Sequence, residues 1–351
     1  MSGAEPRFAW RGFMLDVARH FHPVETVLAV IDHIAALGLN RLHLHLTDDQ
    51  GWRIEIDSWP RLTGIGASTQ VGGGPFDPST SSGRRSANGQ TDGPAFYTKD
   101  DYRRIVGYAA ERGIVVVPEI DMPGHTNAAL VAYPQLAPTG VIPEPYEGID
   151  VGFSTLDTGN EETYRFVADV IGEVAELTPG PWLHFGGDES LVTTRDDYAA
   201  FVSRVAQIVV DAGKVPIGWH EIGRVPDLPP ETIIQYWGFL EPEQDHGEIV
   251  AAWVRHGGKV ILSPADVAYL DIKPHAAHPL GLVWAKGPTS LEAAAGWDPL
   301  DLVARVDGMT LDDVLGVEAP MFTETIATLA DIREMAFPRL DALASIMSEP
   351  R

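Results

Sequence analysis

Cysteine is absent from this 351-residue chain, so disulfide bonds, thiolate metal ligands and a cysteine nucleophile are all excluded. Basic residues are few as well: 25 Lys and Arg stand against 50 Asp and Glu, which gives a formal net charge of −25. A surface this acidic repels nucleic-acid phosphates and anionic lipid headgroups, so we expect neither class of partner. It suits a neutral or weakly basic substrate.

Long hydrophobic runs are also missing, because no apolar stretch approaches the roughly 20 residues that span a bilayer. The first residues, MSGAEPRFAW, lack a basic segment followed by an apolar run, so no signal peptide is visible. We therefore expect a cytoplasmic location, and secretion stays an open alternative. Hydrophobic residues nevertheless make up 44% of the chain, which is enough to bury a large core.

Eight short apolar runs follow one another, with helix-like segments between them. They predict strands over residues 12–17, 41–47, 115–120, 182–187, 215–220, 232–237, 259–264 and 316–323. Apolar spacings of three and four predict helices over residues 24–37, 100–112, 161–177 and 196–212. Strands that alternate with helices pair in parallel through right-handed crossovers. The count predicts a (β/α)8 barrel, the TIM-barrel fold of the α/β class, as one domain over residues 1–351; an open doubly wound sheet is the alternative.

One segment departs from this alternation. Residues 64–95 are rich in Gly, Ser, Pro and Thr and follow the second predicted strand. We predict a long loop insertion there, at the face of the barrel where the strands end.

Side chains that can do chemistry stand at the ends of the predicted strands, where barrel enzymes place their catalytic groups. In chain order they are Asp16 and Arg19; Thr47, Asp48 and Asp49; Glu119, Asp121 and His125; Asp188 and Glu189; Trp219, His220 and Glu221; Tyr236 and Trp237; Asp266, Tyr269 and Asp271; and Glu324. Because burying unpaired charge is costly, so many charged strand ends indicate a functional site.

Two adjacent carboxylates, Asp188 and Glu189, follow the glycines of the fourth predicted strand. Glycines let the chain turn sharply and leave room for a ligand near the backbone. Neighbouring carboxylates repel each other, so the pKa of one should rise, which suits a general acid. A helix N-terminus, where Asp and Glu are common, is the alternative interpretation.

Histidines and tryptophans carry the remaining signals. Trp219 and Trp237 stand at strand ends and are predicted to line a pocket, although core packing is the alternative for any single tryptophan. His43 and His45 share one face of the second strand. They could bind a divalent metal with His220, as in a metal-dependent barrel hydrolase, but the later strands offer no full ligand set. We expect imidazoles hydrogen-bonded inside the barrel, and no metal or other cofactor.

Seven segments, in order along nearly the whole chain, resemble the family 20 glycoside hydrolases, the β-N-acetylhexosaminidases. They are LDVARHFHPVETV (15–27), NRLHLHLTDDQGWRIEIDSWPRL (40–62), VVVPEIDMPGHTNAAL (115–130), LHFGGDES (183–190), GWHEI (218–222), QYWG (235–238) and ILSPADVAYLD (261–271). The resemblance implies an exo-glycosidase that removes terminal N-acetylglucosamine or N-acetylgalactosamine from glycans or chito-oligosaccharides.

The resemblance also implies a retaining, substrate-assisted mechanism, in which the sugar's 2-acetamido oxygen attacks the anomeric carbon and gives an oxazolinium-type intermediate. Glu189 matches the acid/base, and Asp188 matches the carboxylate that orients the acetamido N–H. Asp48 and His125 match a relay that tunes the glutamate. The other matches contact the sugar. Arg19 matches the residue that binds the 3- and 4-hydroxyls, Tyr269 the one that binds the acetamido oxygen, Asp271 a ligand of one hydroxyl, and Glu324 the ligand of the 4- and 6-hydroxyls. Trp219, Trp237 and Trp284 match the residues that form the pocket walls.

Three features depart from the family pattern. Phe322 stands where the family has tryptophan, and this smaller ring, which has no hydrogen-bond donor, should loosen the pocket floor or change substrate preference. The small α/β domain that often precedes the barrel is not seen, and the last barrel helix should be short, so homo-oligomerisation is an open expectation. The alternatives to hydrolysis of hexosaminides are a catalytically impaired sugar-binding barrel and the metal-dependent hydrolase that would use His43 and His45.

Overall fold

The computed structural model describes residues 6–73 and 95–348, and within them eight parallel strands close into a barrel. In chain order the strands are β1 Trp10–Asp16, β2 Arg41–His45, β3 Val115–Glu119, β4 Trp182–His184, β5 Val215–Trp219, β6 Ile233–Tyr236, β7 Lys259–Leu262 and β8 Val314–Met321. Each strand pairs with the next, and β8 pairs with β1 to close the ring. The predicted (β/α)8 barrel is confirmed, and the open sheet is wrong.

Helices surround the barrel. The α-helices are Val24–Ala36, Arg61–Gly64, Lys99–Ala110, Asn127–Ala132, Glu161–Leu177, Arg195–Asp211, Gln244–Arg255, Ala265–Ala268, Leu291–Gly296, Pro299–Val303, Leu329–Ala336 and Arg339–Ser348. Short 3-10 helices cover Pro134–Leu136, His220–Arg224 and Leu311–Asp313, and an antiparallel pair, Thr47–Asp48 with Gly51–Trp52, follows β2. The last described helix, Arg339–Ser348, has 10 residues. None of the described helices is long and apolar enough to cross a membrane.

Side-chain caps fix where the long helices begin. The hydroxyl of Thr98 accepts from the backbone N–H of Asp101, and the Asp101 carboxylate accepts in return from the N–H of Thr98. Asn160 and Thr194 cap the next two long helices in the same way, each accepting one N–H of the first turn. Each such cap satisfies a backbone donor that the helix itself leaves unpaired and contributes about 1 kcal/mol.

Period-two alternation along β2 separates the two sides of the barrel wall. Leu42 and Leu44 point outward into the main hydrophobic core between strands and helices, whereas His43 and His45 point into the barrel. Apolar side chains fill the end of the barrel near the strand N-termini: Trp10, Val117, Ile217, Ile233 and Ile261. Polar side chains fill the middle, and the strand C-termini above them carry the site.

Part of the predicted insertion over residues 64–95 can be followed. Its residues 74–94 lie outside the described residues. The buried guanidinium of Arg53 ties the described ends of this segment to the barrel by donating to five backbone carbonyls, those of Val17, Ala18, Ala67, Thr69 and Ala95. The two ends of the segment therefore lie together, beside the loop that follows β1.

Candidate active site

A cavity of about 500 Å³ opens at the C-terminal end of the barrel. All twelve residues predicted for the site line it: Arg19, Asp48, His125, Asp188, Glu189, Trp219, Trp237, Tyr269, Asp271, Trp284, Phe322 and Glu324. The structure brings these twelve side chains together around one cavity. Seven further residues line the cavity as well: His45, Asp121, Ile149, Asp150, Val151, Leu282 and Val283.

The chain turns sharply between β4 and the adjacent carboxylates. Gly186 and Gly187 adopt φ values of 69° and 99°, a region that residues with a side chain rarely enter. A Cβ on Gly186 would lie 1.6 Å from the Asp121 carboxylate, so the close approach of these two segments requires glycine. The turn delivers Asp188 and Glu189 to the cavity with side chains that are 14% and 31% exposed.

The electrostatics of the pair are set mainly by burial. Burial and the neighbouring Glu189 carboxylate raise the pKa of Asp188 to about 6, against the opposing charge of His125. Burial and the Asp188 carboxylate likewise raise the pKa of Asp121 well above its usual range. The sequence predicts a raised pKa in one member of the pair, as suits a general acid; here the raised pKa belongs to Asp188, the member matched to the carboxylate that orients the acetamido group. At pH 7 a carboxyl with this pKa is still about 90% ionised.

His125 connects the carboxylate pair to Asp48. Its Nδ1 lies 3.2 Å from Asp48 Oδ1, and its Nε2 lies 3.4 Å from Glu189 Oε2 and 3.6 Å from Asp188 Oδ2. Burial alone would lower the pKa of His125, but the Asp48 and Asp188 carboxylates raise it well above its usual value. His125 is therefore an imidazolium whose Nε2, which has no hydrogen bond among the described residues, faces the pair.

Aromatic side chains form the walls. Trp219 is 1% exposed and donates its Nε1–H to Glu119 at 2.9 Å, and Trp237 donates to Glu221 at 3.0 and 3.1 Å. Trp284 stands edge-on to Trp237 at the cavity mouth, with ring centroids 6.0 Å apart, and is 43% exposed. The three indoles offer flat apolar faces to a ligand, while the N–H groups of Trp219 and Trp237 are already used by carboxylates.

The other end of the cavity is polar. Arg19 Nη2 binds Asp48 at 2.8 Å, and the Arg19 guanidinium lies 5.1 Å from the centre of the Phe322 ring. Asp271 Oδ2 and Glu324 Oε2 are buried and have no hydrogen bond among the described residues. Burial and their mutual repulsion raise the pKa of Asp271 well above its usual range. A ligand with several hydroxyls would satisfy these groups, which are otherwise costly to bury.

Comparison with known proteins agrees with this geometry. The model of the glycosyl hydrolase family 20 catalytic domain matches residues 8–350. The chain belongs to glycosyl hydrolase family 20. The site above is thus the cavity of a family 20 barrel.

Three relatives are similar over nearly the whole chain. A curated β-N-acetylhexosaminidase from Cellulomonas fimi is 44% identical over 341 residues, which are 97% of this chain and 63% of that protein. A solved family 20 β-N-acetylhexosaminidase from Streptomyces coelicolor A3(2) is 47% identical, with a TM-score of 0.89 over 98% of this chain and 65% of that one. A mutant Streptomyces plicatus β-hexosaminidase, solved with its product GlcNAc, has the same identity and TM-score over 98% of this chain and 64% of its own. The chain thus spans less than two thirds of the length of each.

The histidines inside this family 20 barrel bind carboxylates of the barrel itself. His43 Nδ1 lies 2.8 Å from Glu318, and His45 Nδ1 lies 2.5 Å from Glu119. The expectation of hydrogen-bonded imidazoles is therefore confirmed. His43, Glu119 and His184 lie close enough together for their atoms to share an ion. Both nitrogens of His43, however, already face carboxylates at 2.8 and 3.0 Å, so that ring supplies ion pairs within the barrel.

Two carboxylates that matter to the site were named among the strand ends but were assigned no role in it. Glu119 accepts a hydrogen bond from Trp219, and Glu221 accepts one from Trp237. Both carboxylates therefore hold the indoles that form the cavity walls. Glu119 carried a usable signal, because a glutamate that ends the apolar run VVVPE is costly to bury without partners. The rim residues Ile149, Val151, Leu282 and Val283 come from irregular loops that have no periodic signal in the sequence.

Proposed function

We propose that this chain is the catalytic barrel of a β-N-acetylhexosaminidase, a retaining exo-glycosidase that removes terminal N-acetylhexosamine residues. One observation carries the proposal: the adjacent Asp188 and Glu189 share a tryptophan-walled cavity with an imidazolium that faces both of them. A cavity of about 500 Å³ is in the range of small-molecule sites and accommodates a single sugar ring with its 2-acetamido group.

The carboxylates then divide the chemistry between them. Glu189 gives its proton to the leaving glycosidic oxygen while the substrate's 2-acetamido oxygen attacks the anomeric carbon. Asp188 accepts a hydrogen bond from the acetamido N–H and offsets the positive charge that develops on the oxazolinium-type intermediate. Glu189 next takes a proton from water, which attacks the same carbon and restores its configuration.

The remaining side chains support these steps. The His125 imidazolium, 3.4 Å from Glu189, stabilises the carboxylate that forms when the proton leaves. The Tyr269 hydroxyl donates to the acetamido oxygen and orients it for attack. Arg19, Asp271 and Glu324 bind the sugar hydroxyls at the polar end, where two buried carboxylate oxygens have no protein partner among the described residues.

The proposed substrates are GlcNAc- or GalNAc-terminated glycans and chito-oligosaccharides. The acidic surface, with a net charge of −25, suits such neutral ligands. A relative of 47% identity was solved with GlcNAc as its product, which supports a hexosamine at the same position here.

A panel of 4-nitrophenyl glycosides tests the proposal. The N-acetylglucosaminide or the N-acetylgalactosaminide should be hydrolysed, and the unsubstituted glucoside should be inert because it lacks the internal nucleophile. Glu189→Gln should lose turnover and keep its fold, as judged by circular dichroism. Equal hydrolysis of the glucoside, or undiminished turnover by Glu189→Gln, would remove the proposal. Tight binding of GlcNAc with no turnover by the wild type would favour the catalytically impaired barrel instead.

A further inference from the structure

Further charged side chains lie inside the barrel beneath Asp48. Beneath it, His45 Nε2 lies 2.7 Å from Asp48 Oδ2, and His45 Nδ1 lies 2.5 Å from Glu119 Oε2. All three side chains are 1% exposed or less. Ionised carboxylates only accept hydrogen bonds, so a ring between two of them donates from both nitrogens. The geometry makes His45 an imidazolium inside the barrel.

Asp48 is consequently held by cations on both oxygens. Its Oδ2 lies 2.7 Å from His45 and 2.8 Å from Arg19, and its Oδ1 lies 3.2 Å from His125. Burial alone would raise the pKa of Asp48, but the charges of Arg19 and His125 and the hydrogen bond from His45 hold it well below its usual range. Asp48 therefore stays an anion and leaves the proton of His125 where it is.

Glu119 joins this chain of charges to the sugar pocket. Its Oε2 binds His45, and its Oε1 accepts from Trp219 Nε1 at 2.9 Å. The order of groups from the barrel interior to the acid pair is thus Glu119, His45, Asp48, His125 and Glu189, with charges that alternate along its first four members. Each ion in the chain is paired, which is the condition for keeping charge in a low-dielectric interior.

We propose that His45 and Glu119 are positioning residues for proton donation: they fix Asp48 as an anion, and Asp48 fixes the His125 imidazolium with Nε2–H toward Glu189. This inference rests on the proposed function, because it assigns a task in that same reaction. It predicts which step of the reaction slows when a member of this series of charged side chains is replaced. Departure of a poor leaving group needs a proton and should slow sharply, whereas departure of 4-nitrophenol needs little help and should slow less.

Glu119→Gln tests the proposal most directly. The amide oxygen can still accept from Trp219, but the NH2 group, which would face His45 Nδ1, no longer supports a charged ring. We expect kcat for an alkyl N-acetylglucosaminide to fall on the order of 100-fold, and kcat for the 4-nitrophenyl substrate to fall about 10-fold or less, since general acid catalysis contributes about 10² to 10⁴. The ratio of the two kcat values is the readout, because a general loosening of the fold lowers both alike.

Glu318→Gln is the matched control. Glu318 is a buried glutamate on β8, and its partners in the described residues are Trp10, His43 and Gln235. None of these three has a hydrogen bond or ion pair to Asp48 in the described part of the chain, although His43 Nε2 also lies 3.0 Å from Glu119. Its replacement should lower the urea midpoint and leave the ratio unchanged. If Glu119→Gln fails to fold, His45→Gln tests the same connection, and we expect the same change in the ratio of the two kcat values.

The outcomes separate the two proposals. An increased preference for the 4-nitrophenyl substrate in Glu119→Gln or His45→Gln, but not in Glu318→Gln, supports the positioning role. Equal losses on both substrates, or the same change in Glu318→Gln, overturn it while the proposed function stands. A wild-type protein that hydrolyses neither substrate overturns the proposed function, and the positioning role with it.

Discussion

Replacing Asp188 by asparagine should stabilise the fold at neutral pH while it removes turnover. Burial and the Glu189 carboxylate raise the pKa of Asp188 from 3.8 to about 6 in the folded protein. Between those two pKa values the folded chain keeps a proton that the unfolded chain releases, so stability falls as pH rises through this window. A shift of about 2 units corresponds to about 3 kcal/mol above pH 6, at about 1.36 kcal/mol per unit.

Asparagine does not titrate, so the variant escapes this loss. Its gain over the wild type in free energy of unfolding should be about 1 kcal/mol at pH 4.5 and about 3 kcal/mol at pH 7.5, measured by urea unfolding. Asp312→Asn, at an exposed carboxylate, is the control, and its free energy of unfolding should stay within about 0.5 kcal/mol of the wild type. A gain that is equal at both pH values, or a loss of stability at pH 7.5, would refute the reasoning.

Three further variants test other parts of the site. Arg19→Lys should lower kcat/KM on 4-nitrophenyl N-acetylglucosaminide by roughly 100-fold, because one ammonium cannot replace the planar fork that binds Asp48 at 2.8 Å; wild-type kinetics would contradict this. Arg339→Met should lower the free energy of unfolding by about 3 kcal/mol in urea, since the buried guanidinium donates to the carbonyls of Leu270, Ile272, Thr289 and Met335. Phe322→Trp should change KM for the same substrate, whereas Phe153→Trp should not, because Phe153 is 42% exposed and is not among the residues that line the cavity.

The strands could be predicted because their signal is local. Each predicted strand exists, and each prediction runs one to three residues past the observed end. Apart from His220, the extra residues are apolar or small, but they have left the barrel sheet. After β4, for example, Phe185 is buried and apolar, yet Gly186 and Gly187 already turn the chain toward the cavity. Hydrophobicity marks burial, and only backbone geometry marks where pairing stops.

The site residues were predictable for a different reason. Parallel strands in a barrel end at one face, so side chains that follow them converge whatever the loop details. The partners of the supporting carboxylates could not be found in this way. Glu119 and Glu318 lie within strands, and their partners His43, His45 and Trp219 come from other strands, so pairing depends on the closed barrel. The available signal was the cost of a charge in an apolar run.

Stability and catalysis oppose each other at this site through a single physical cause. Asp188, Asp121 and Glu221 are buried carboxyls whose pKa values are all raised, by burial first and then by nearby carboxylates: Glu189 acts on Asp188, and Asp188 acts on Asp121 and Glu221. Burial and the negative potential around Asp188 make its ionised form costly, which destabilises the fold. In the proposed reaction a positive charge develops beside Asp188, and the same potential then stabilises the intermediate. Removing the Asp188 charge should therefore raise the free energy of unfolding and lower kcat together, an inverse change that a defect in folding alone would not produce.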